Sequence, residues 1–230
     1  MNSLSTLAFL ATPQAASADP GLSLVQIVID GGFMMWPLGF CALAGLVIIV
    51  WKFLDLQKKA RATRTILNET DSLIAAHKIK EATAKLSQSD APVAQILLAG
   101  LKRHEEGTER VMKAIENAGL IQLASLERGL VWLATISNVA PLMGFLGTVV
   151  GMIQAFQAIE LAGEVEATLV AAGIKVALIT TATGLTIAIP INIGHNYFVT
   201  VIDRLVIEME ESAQKMIDAL HAMEGRGAGV

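Results

Sequence analysis

Three stretches of this 230-residue chain hold almost no charge, and a fourth, between the first two, holds most of it. A bilayer excludes charge segment by segment, so this blockiness constrains the fold more tightly than any motif. The first stretch, GGFMMWPLGFCALAGLVIIVW, runs between Asp30 and Lys52, with Trp36 and Trp51 near its ends as in an interfacial aromatic belt. A hydrocarbon core about 30 Å thick needs about 20 apolar helical residues to cross. Pro37 stands in the first turn, where a proline does least harm. The second stretch, between Arg128 and Glu160, carries no charge. As a helix it is roughly 45 Å long, so it tilts or projects past the membrane. The third, between Lys175 and Asp203, is uncharged apart from His195. One such run is compatible with the buried helix of a soluble protein; three in one short chain are not. Only 17% of residues are charged, against about 25% in soluble domains.

The rest of the composition serves to exclude. A net charge of −4 gives no footprint for nucleic acid. Aromatic residues at 5% are too few for a barrel with aromatic girdles. Cys41 lies in an apolar run and has no partner for an intrachain disulfide. Residues 1–19 resemble a weak signal peptide with a small-residue site at Ala16-Ser17-Ala18, but lack a basic leader and are read as an N-terminal extension. Leu22, Val25, Ile27 and Ile29 suit a short interfacial helix ahead of the first span.

Positive charge predicts the orientation. Residues 1–30 contain no Lys or Arg, residues 52–128 contain thirteen, and the tail after Asp203 contains three. The chain therefore divides into a periplasmic extension (1–30), a first span (31–51), a cytoplasmic helical segment (52–128), a second span (129–159), a periplasmic loop (160–175), a third span (176–202) and a cytoplasmic helix and tail (203–230). The cluster Lys52, Lys58, Lys59, Arg61 and Arg64 directly after the first span is the strongest part of that signal.

Within 52–128, Leu54, Ile66, Leu73, Ile74, Ile79 and Leu86 recur amid charges as on amphipathic helices. Asp90 is the expected cap of a helix carrying Pro92 in its first turn, and Thr108 that of the next, with Glu109 in its first turn. That helix, TERVMKAIENAGLIQLASLERGL, is expected to continue straight into the second span. Apolar spacing after Asp203 predicts that the third span extends into the cytoplasm, and GRGAGV at the end is expected to be disordered. There is no P-loop, zinc spacing or nucleophile elbow. His77, His104, His195 and His221 lack the paired ligand a metal site needs. An enzyme, a metal and a cofactor are therefore not expected.

Two of the spans carry a pattern the first lacks. Ser137, Pro141, Gly144, Thr148, Gly151 and Ala155 recur at steps of three and four, which puts them on one helix face. Ala177, Thr181, Gly184, Ala188, Asn192 and His195 do the same. One reading is packing, since membrane helices associate through small residues and Thr or Asn bond across. The other is a polar core along which a proton or another helix passes, since polar groups at membrane depth need a partner or water. Neither seam holds a carboxylate at depth, whereas a proton relay normally needs an ionisable group. If this chain conducts, another subunit supplies the acid, which predicts a hetero-oligomer.

The same residues carry a resemblance. Ala140-Pro-Leu-Met-Gly-Phe-Leu-Gly-Thr-Val-Val-Gly-Met152 with Ala155-Phe156, and Ala177-Leu-Ile-Thr-Thr-Ala-Thr-Gly-Leu185 with Ala188-Ile-Pro190, are similar to the paired motifs of the MotA/TolQ/ExbB family. Gly32-Phe-Met-Met-Trp-Pro-Leu38 resembles the family's approach to its first span. Three spans fit ExbB and TolQ better than four-span MotA stators. The resemblance implies an all-α integral membrane protein of the bacterial inner membrane, with long helices reaching into the cytoplasm and five copies around a central pore. It implies two single-span ExbD/TolR-like partner helices within that pore, each carrying an aspartate, and a TonB-like third component. Thr148 and Thr181 are then the hydroxyls nearest that aspartate, with Ser137, Thr180 and Asn192 along the path. Pro141, Gly144, Gly147, Gly151, Gly184 and Pro190 serve helix packing. The implied function is a proton-channel subunit of a motor that turns proton motive force into work on an envelope partner. A proton crossing about 100 mV releases about 2.3 kcal/mol, comparable to one charge-assisted hydrogen bond.

The chain departs from the family at one point. The glutamate usual before Ala177-Leu178 is Val176 here, preceded by Lys175, and Glu164 and Glu166 are too far along the helix to replace it. Two other readings are a non-conducting scaffold for a membrane complex and a sodium-driven relative, since Thr hydroxyls also ligate a partly dehydrated cation.

Overall fold

The computed structural model describes residues 24–75 and 78–227, and the regular structure in them is all helical. A short helix α1 (Leu24–Asp30) leads through a 3-10 turn (Gly32–Met34) into α2 (Met35–Ala75). Then come α3 (Ile79–Leu86), α4 (Pro92–Leu101), a second 3-10 turn (His104–Glu106), α5 (Thr108–Glu127), α6 (Leu130–Ala162) and α7 (Ala167–Gly227). Helix α1 is where the sequence placed a short interfacial helix. The expectations for residues 1–19, Leu22 and His77 lie outside the described residues.

Among the described residues, three helices are long and apolar enough to cross a membrane: Gly32–Thr70, Leu130–Ala162 and Val170–Ala222. Only 17–28% of the most apolar stretch of each is buried within the single chain. Phe40, Leu43, Leu46 and Val47 of α2 stand open in this way, and a surface so apolar calls for lipid or another subunit. Helix α7, at 61 residues, is about 90 Å long, some three times the hydrocarbon thickness. It therefore leaves the membrane as one unbroken rod. The C-terminal halves of α2 and α7 leave on the same side and hold α3, α4 and α5 between them. Leu56, Leu86, Val93, Leu97, Val111, Leu126, Ile202 and Met216 form the core there, each no more than 2% exposed. Each such side chain contributes about 1.5–3 kcal/mol relative to exposure.

The passage from α5 to α6 corrects the sequence reading. The helix does not run straight on: Arg128 is extended (φ −55°, ψ 125°) and Gly129 is left-handed (φ 94°, ψ −19°). Gly129 adopts that conformation at no steric cost, and so makes the corner. The corner is held by Lys52, which is fully buried. Its Nζ donates to the carbonyl oxygens of Leu126 at 2.5 Å and Arg128 at 2.8 Å, two acceptors orphaned where α5 ends.

Smaller corrections concern helix ends. Ala91, not Asp90, is the N-cap of α4, with Pro92 in the first turn, and Ser89 Oγ accepts from the Ala91 amide at 3.2 Å. Gly107 caps α5 at φ 94°, and Thr108 is its first helical residue, with Glu109 in the first turn as expected. Helix α7 persists to Gly227, so residues 225–227 of the tail expected to be disordered are helical, and residues 228–230 lie outside the described part.

The open flank of the α6–α7 hairpin as candidate functional site

Helices α6 and α7 form an antiparallel pair turned at Gly163, whose left-handed backbone (φ 71°) caps α6 and whose amide bonds to the Ile159 carbonyl at 3.0 Å. Their facing sides are made of small residues. Ser137, Ala140, Gly144, Gly147, Gly151 and Ala155 are buried on α6, opposite Gly173, Ala177, Thr180, Gly184 and Ala188 on α7. The backbones touch. A Cβ on Gly184 would stand 2.6 Å from the Ala140 carbonyl oxygen, and one on Gly151 2.8 Å from that of Gly173. One on Gly144 would meet the Thr180 carbonyl oxygen at 3.0 Å, and one on Gly147 would overlap the Thr180 side chain. This close approach is the association mode open to helices in lipid.

The seam residues divide between this interface and its two flanks. Ser137 and Thr180 are buried between the helices; Ser137 Oγ donates to the Ala134 carbonyl at 2.9 Å, and Thr180 Oγ1 lies 2.9 Å from that of Ala177. Counting about 100° per residue from the Gly144–Gly184 contact line puts Met143, Ile179 and Ile187 on one flank. There they pack against Met35 and Leu38 of α2. The same count puts Thr148 and Thr181 together on the opposite flank, roughly 60° or less from the contact line. Among the described residues nothing covers that flank: Phe145, Leu178 and Leu185 on it are exposed, and both threonines are half-buried. Pro141 is half-buried within α6, Pro190 is exposed within α7, and Asn192 is exposed.

The two hydroxyls are presented in one sense. Thr181 Oγ1 donates across the pair to the Gly144 carbonyl at 3.1 Å, and Thr148 Oγ1 donates to the Phe145 carbonyl at 2.6 Å. With its one hydrogen committed, each oxygen offers lone pairs to the open flank. The two bonds end on the adjacent carbonyls of Gly144 and Phe145, so both acceptors lie at one turn of α6. Farther along, Asn192 Oδ1 accepts from Asn196 Nδ2 at 3.0 Å.

Three features escaped the sequence reading. Lys175 pairs with Asp30 at 2.6 Å, tying the start of α7 to the end of α1. Both had served only as span borders; that opposite charges end two neighbouring spans at one level was the available signal. In the sequence Lys52 reads as a topological charge rather than a structural group. His195 lines a cavity with Glu127, Thr135 and Asn138 at the other end of the flank, which no motif marks.

The fold and site thus define a helical membrane protein with three long apolar helices and uncharged hydroxyls along one open flank of its hairpin. Residues 88–211, more than half of the chain and including all of α6 and α7 as far as Glu211, match the MotA/TolQ/ExbB proton channel family. The chain belongs to that family. It is 29% identical to a biopolymer transport ExbB homologue of Methanothermobacter thermautotrophicus, over 84% of this chain and 70% of that protein. It is 28% identical to biopolymer transport protein exbB1 of Vibrio cholerae, over 83% of this chain and 85% of that one. It is 41% identical to the Tol-Pal system protein TolQ of Haemophilus influenzae, over 40% of this chain and 39% of TolQ.

Proposed function

We propose that this chain is the proton-channel subunit of an inner-membrane motor that couples proton motive force to mechanical work on an envelope partner. Five copies surround a lumen, each contributing the open flank of its hairpin. The N-terminus faces the periplasm, and the helical body of α3–α5 stands in the cytoplasm, where the basic residues cluster. Two single-span ExbD/TolR-like helices occupy the lumen, and each brings the carboxylic acid that this chain lacks at depth. The names of its relatives make biopolymer transport and the Tol-Pal system the two candidate recipients of the force, with a TonB-like component receiving it in the first.

The observation that carries this reading is the uncovered pair of acceptor hydroxyls at Thr148 and Thr181. A protonated acid donates a hydrogen bond to such an oxygen. An ionised one has no proton to donate and can only accept, which requires a threonine to turn its hydrogen away from the Gly144 or Phe145 carbonyl. Each protonation thus changes which contact the partner acid makes, and about 2.3 kcal/mol per proton at 100 mV is enough to drive that exchange. The small-residue interface, with Ser137 and Thr180 inside it, keeps the two helices one rigid wall while the partner turns.

Replacing both threonines by alanine tests the proposal. The doubly substituted subunit assembles with its partner but loses proton-driven work. Unchanged work would favour a scaffold, and loss of work on replacing sodium by potassium in the native protein would favour a sodium-driven relative.

A further inference from the structure

We propose that His195 is the proton exit of this channel, the last side chain to hold the proton before it leaves the open flank toward α3–α5. The inference rests on the proton-channel reading and extends it to a residue outside the threonine pair. It begins from a gap in the chemistry. Between Thr181 and Asp203, His195 is the one side chain of α7 with a basic nitrogen that can take up and release a proton.

Its surroundings suit a relay. A cavity of about 380 Å³ opens on the same flank as Thr148 and Thr181, lined by Glu127, Ala134, Thr135, Asn138, His195 and Val199 among others. It lies fourteen residues, about 21 Å, beyond Thr181 along α7. Its other walls are the last residue of α5 and the first turns of α6. Thr135 Oγ1 and Asn138 Nδ2 donate to the Val131 and Ala134 carbonyls at 2.8 and 2.9 Å, which leaves their oxygens free to accept from water. The charged group on the wall is the Glu127 carboxylate from α5. The lining residues of α6 include no titratable group, and those of α7 include none besides His195.

The amides fix which ring nitrogen is available. Asn196 Nδ2 donates to Asn192 Oδ1 at 3.0 Å, so Asn196 Oδ1 is the atom that faces His195 Nδ1 at 3.3 Å. That oxygen only accepts, so Nδ1 carries the hydrogen and Nε2 keeps its lone pair. A proton delivered by lumen water bonds to Nε2 and gives an imidazolium still held through Nδ1. The new Nε2–H bond then breaks toward cavity water or the Glu127 carboxylate, and the neutral ring returns in the same tautomer.

The test is proton uptake into vesicles holding the complete complex with its single-span partner, driven by a potassium diffusion potential and read by a trapped pH dye. His195→Gln is expected to conduct at least about tenfold more slowly, and His195→Ala is expected to recover flux when imidazole is added to the buffer. A purely structural histidine would not give that rescue. Variants that assemble and conduct within twofold of native would overturn the assignment and leave the channel reading standing. A native complex that passes no protons would overturn the channel reading itself, and this inference with it.

Discussion

The hydroxyl of Thr181 on α7 bonds to the Gly144 carbonyl of α6 at 3.1 Å, so the residue that faces the open flank also fastens the hairpin. Structural and functional roles at this position are separable by substitution. Thr181→Ser keeps the donor and is expected to retain both assembly and proton-driven work. Thr181→Val keeps the shape, loses an interhelical bond worth about 0.6 kcal/mol, and is expected to assemble with its work abolished. Work assays alongside thermal unfolding in detergent check the pair.

The backbone contact between α6 and α7 predicts a steep dependence on glycine. Gly184→Ala directs a methyl at the Ala140 carbonyl oxygen at 2.6 Å, and Gly151→Ala one at that of Gly173 at 2.8 Å. In both cases the obstacle is main chain and cannot rotate away. Each is expected to cost about 1–3 kcal/mol as the helices part. Gly39→Ala on α2, where a Cβ meets nothing within 4 Å, is the neutral comparison. Unfolding midpoints of the three variants decide it.

Lys52 is expected to matter as a hydrogen-bond donor rather than as a topological charge. Lys52→Met fills the same volume but leaves the Leu126 and Arg128 carbonyls without their partner, a loss of about 1–3 kcal/mol. Protease sensitivity of the α5–α6 corner should rise while the orientation in the membrane stays the same, since Lys58, Lys59, Arg61 and Arg64 remain.

The Asp30–Lys175 bridge is more modest. Lys175 is half-exposed, and such pairs contribute about 0–1 kcal/mol. Lys175→Gln is expected to leave the unfolding midpoint nearly unchanged. The charge-exchanged double variant Asp30→Lys with Lys175→Asp should match the native protein at low and high salt.

Much of this fold is legible in the sequence, because a membrane filters on charge and charge gaps are visible in one dimension. The three long apolar helices, the extension of α7 past its apolar stretch and the small-residue seams follow from that and from helical periodicity. What periodicity cannot separate is packing from path. Ser137 and Thr148 share a seam by spacing, yet one lies inside the helix pair and the other on its flank, and only the position of α2 decides which flank stays open. The corner at Gly129 was missed because an isolated glycine within a helical pattern is usually tolerated. Here Lys52, 74 residues from Leu126 in sequence, makes the break worthwhile. The cavity at His195 depends on three helices meeting, which no local pattern records.

The central claim is that the flank bearing Thr148 and Thr181 faces a water-accessible lumen occupied by a partner helix, and thiol accessibility tests it most directly. In a Cys41→Ser background, Thr148→Cys and Thr181→Cys should react in membranes with a water-soluble maleimide when the partner is absent. Both should be protected when the partner is present. Cysteines that ignore the water-soluble reagent and react with a lipid-soluble one, with or without the partner, would place these residues against lipid and contradict the account.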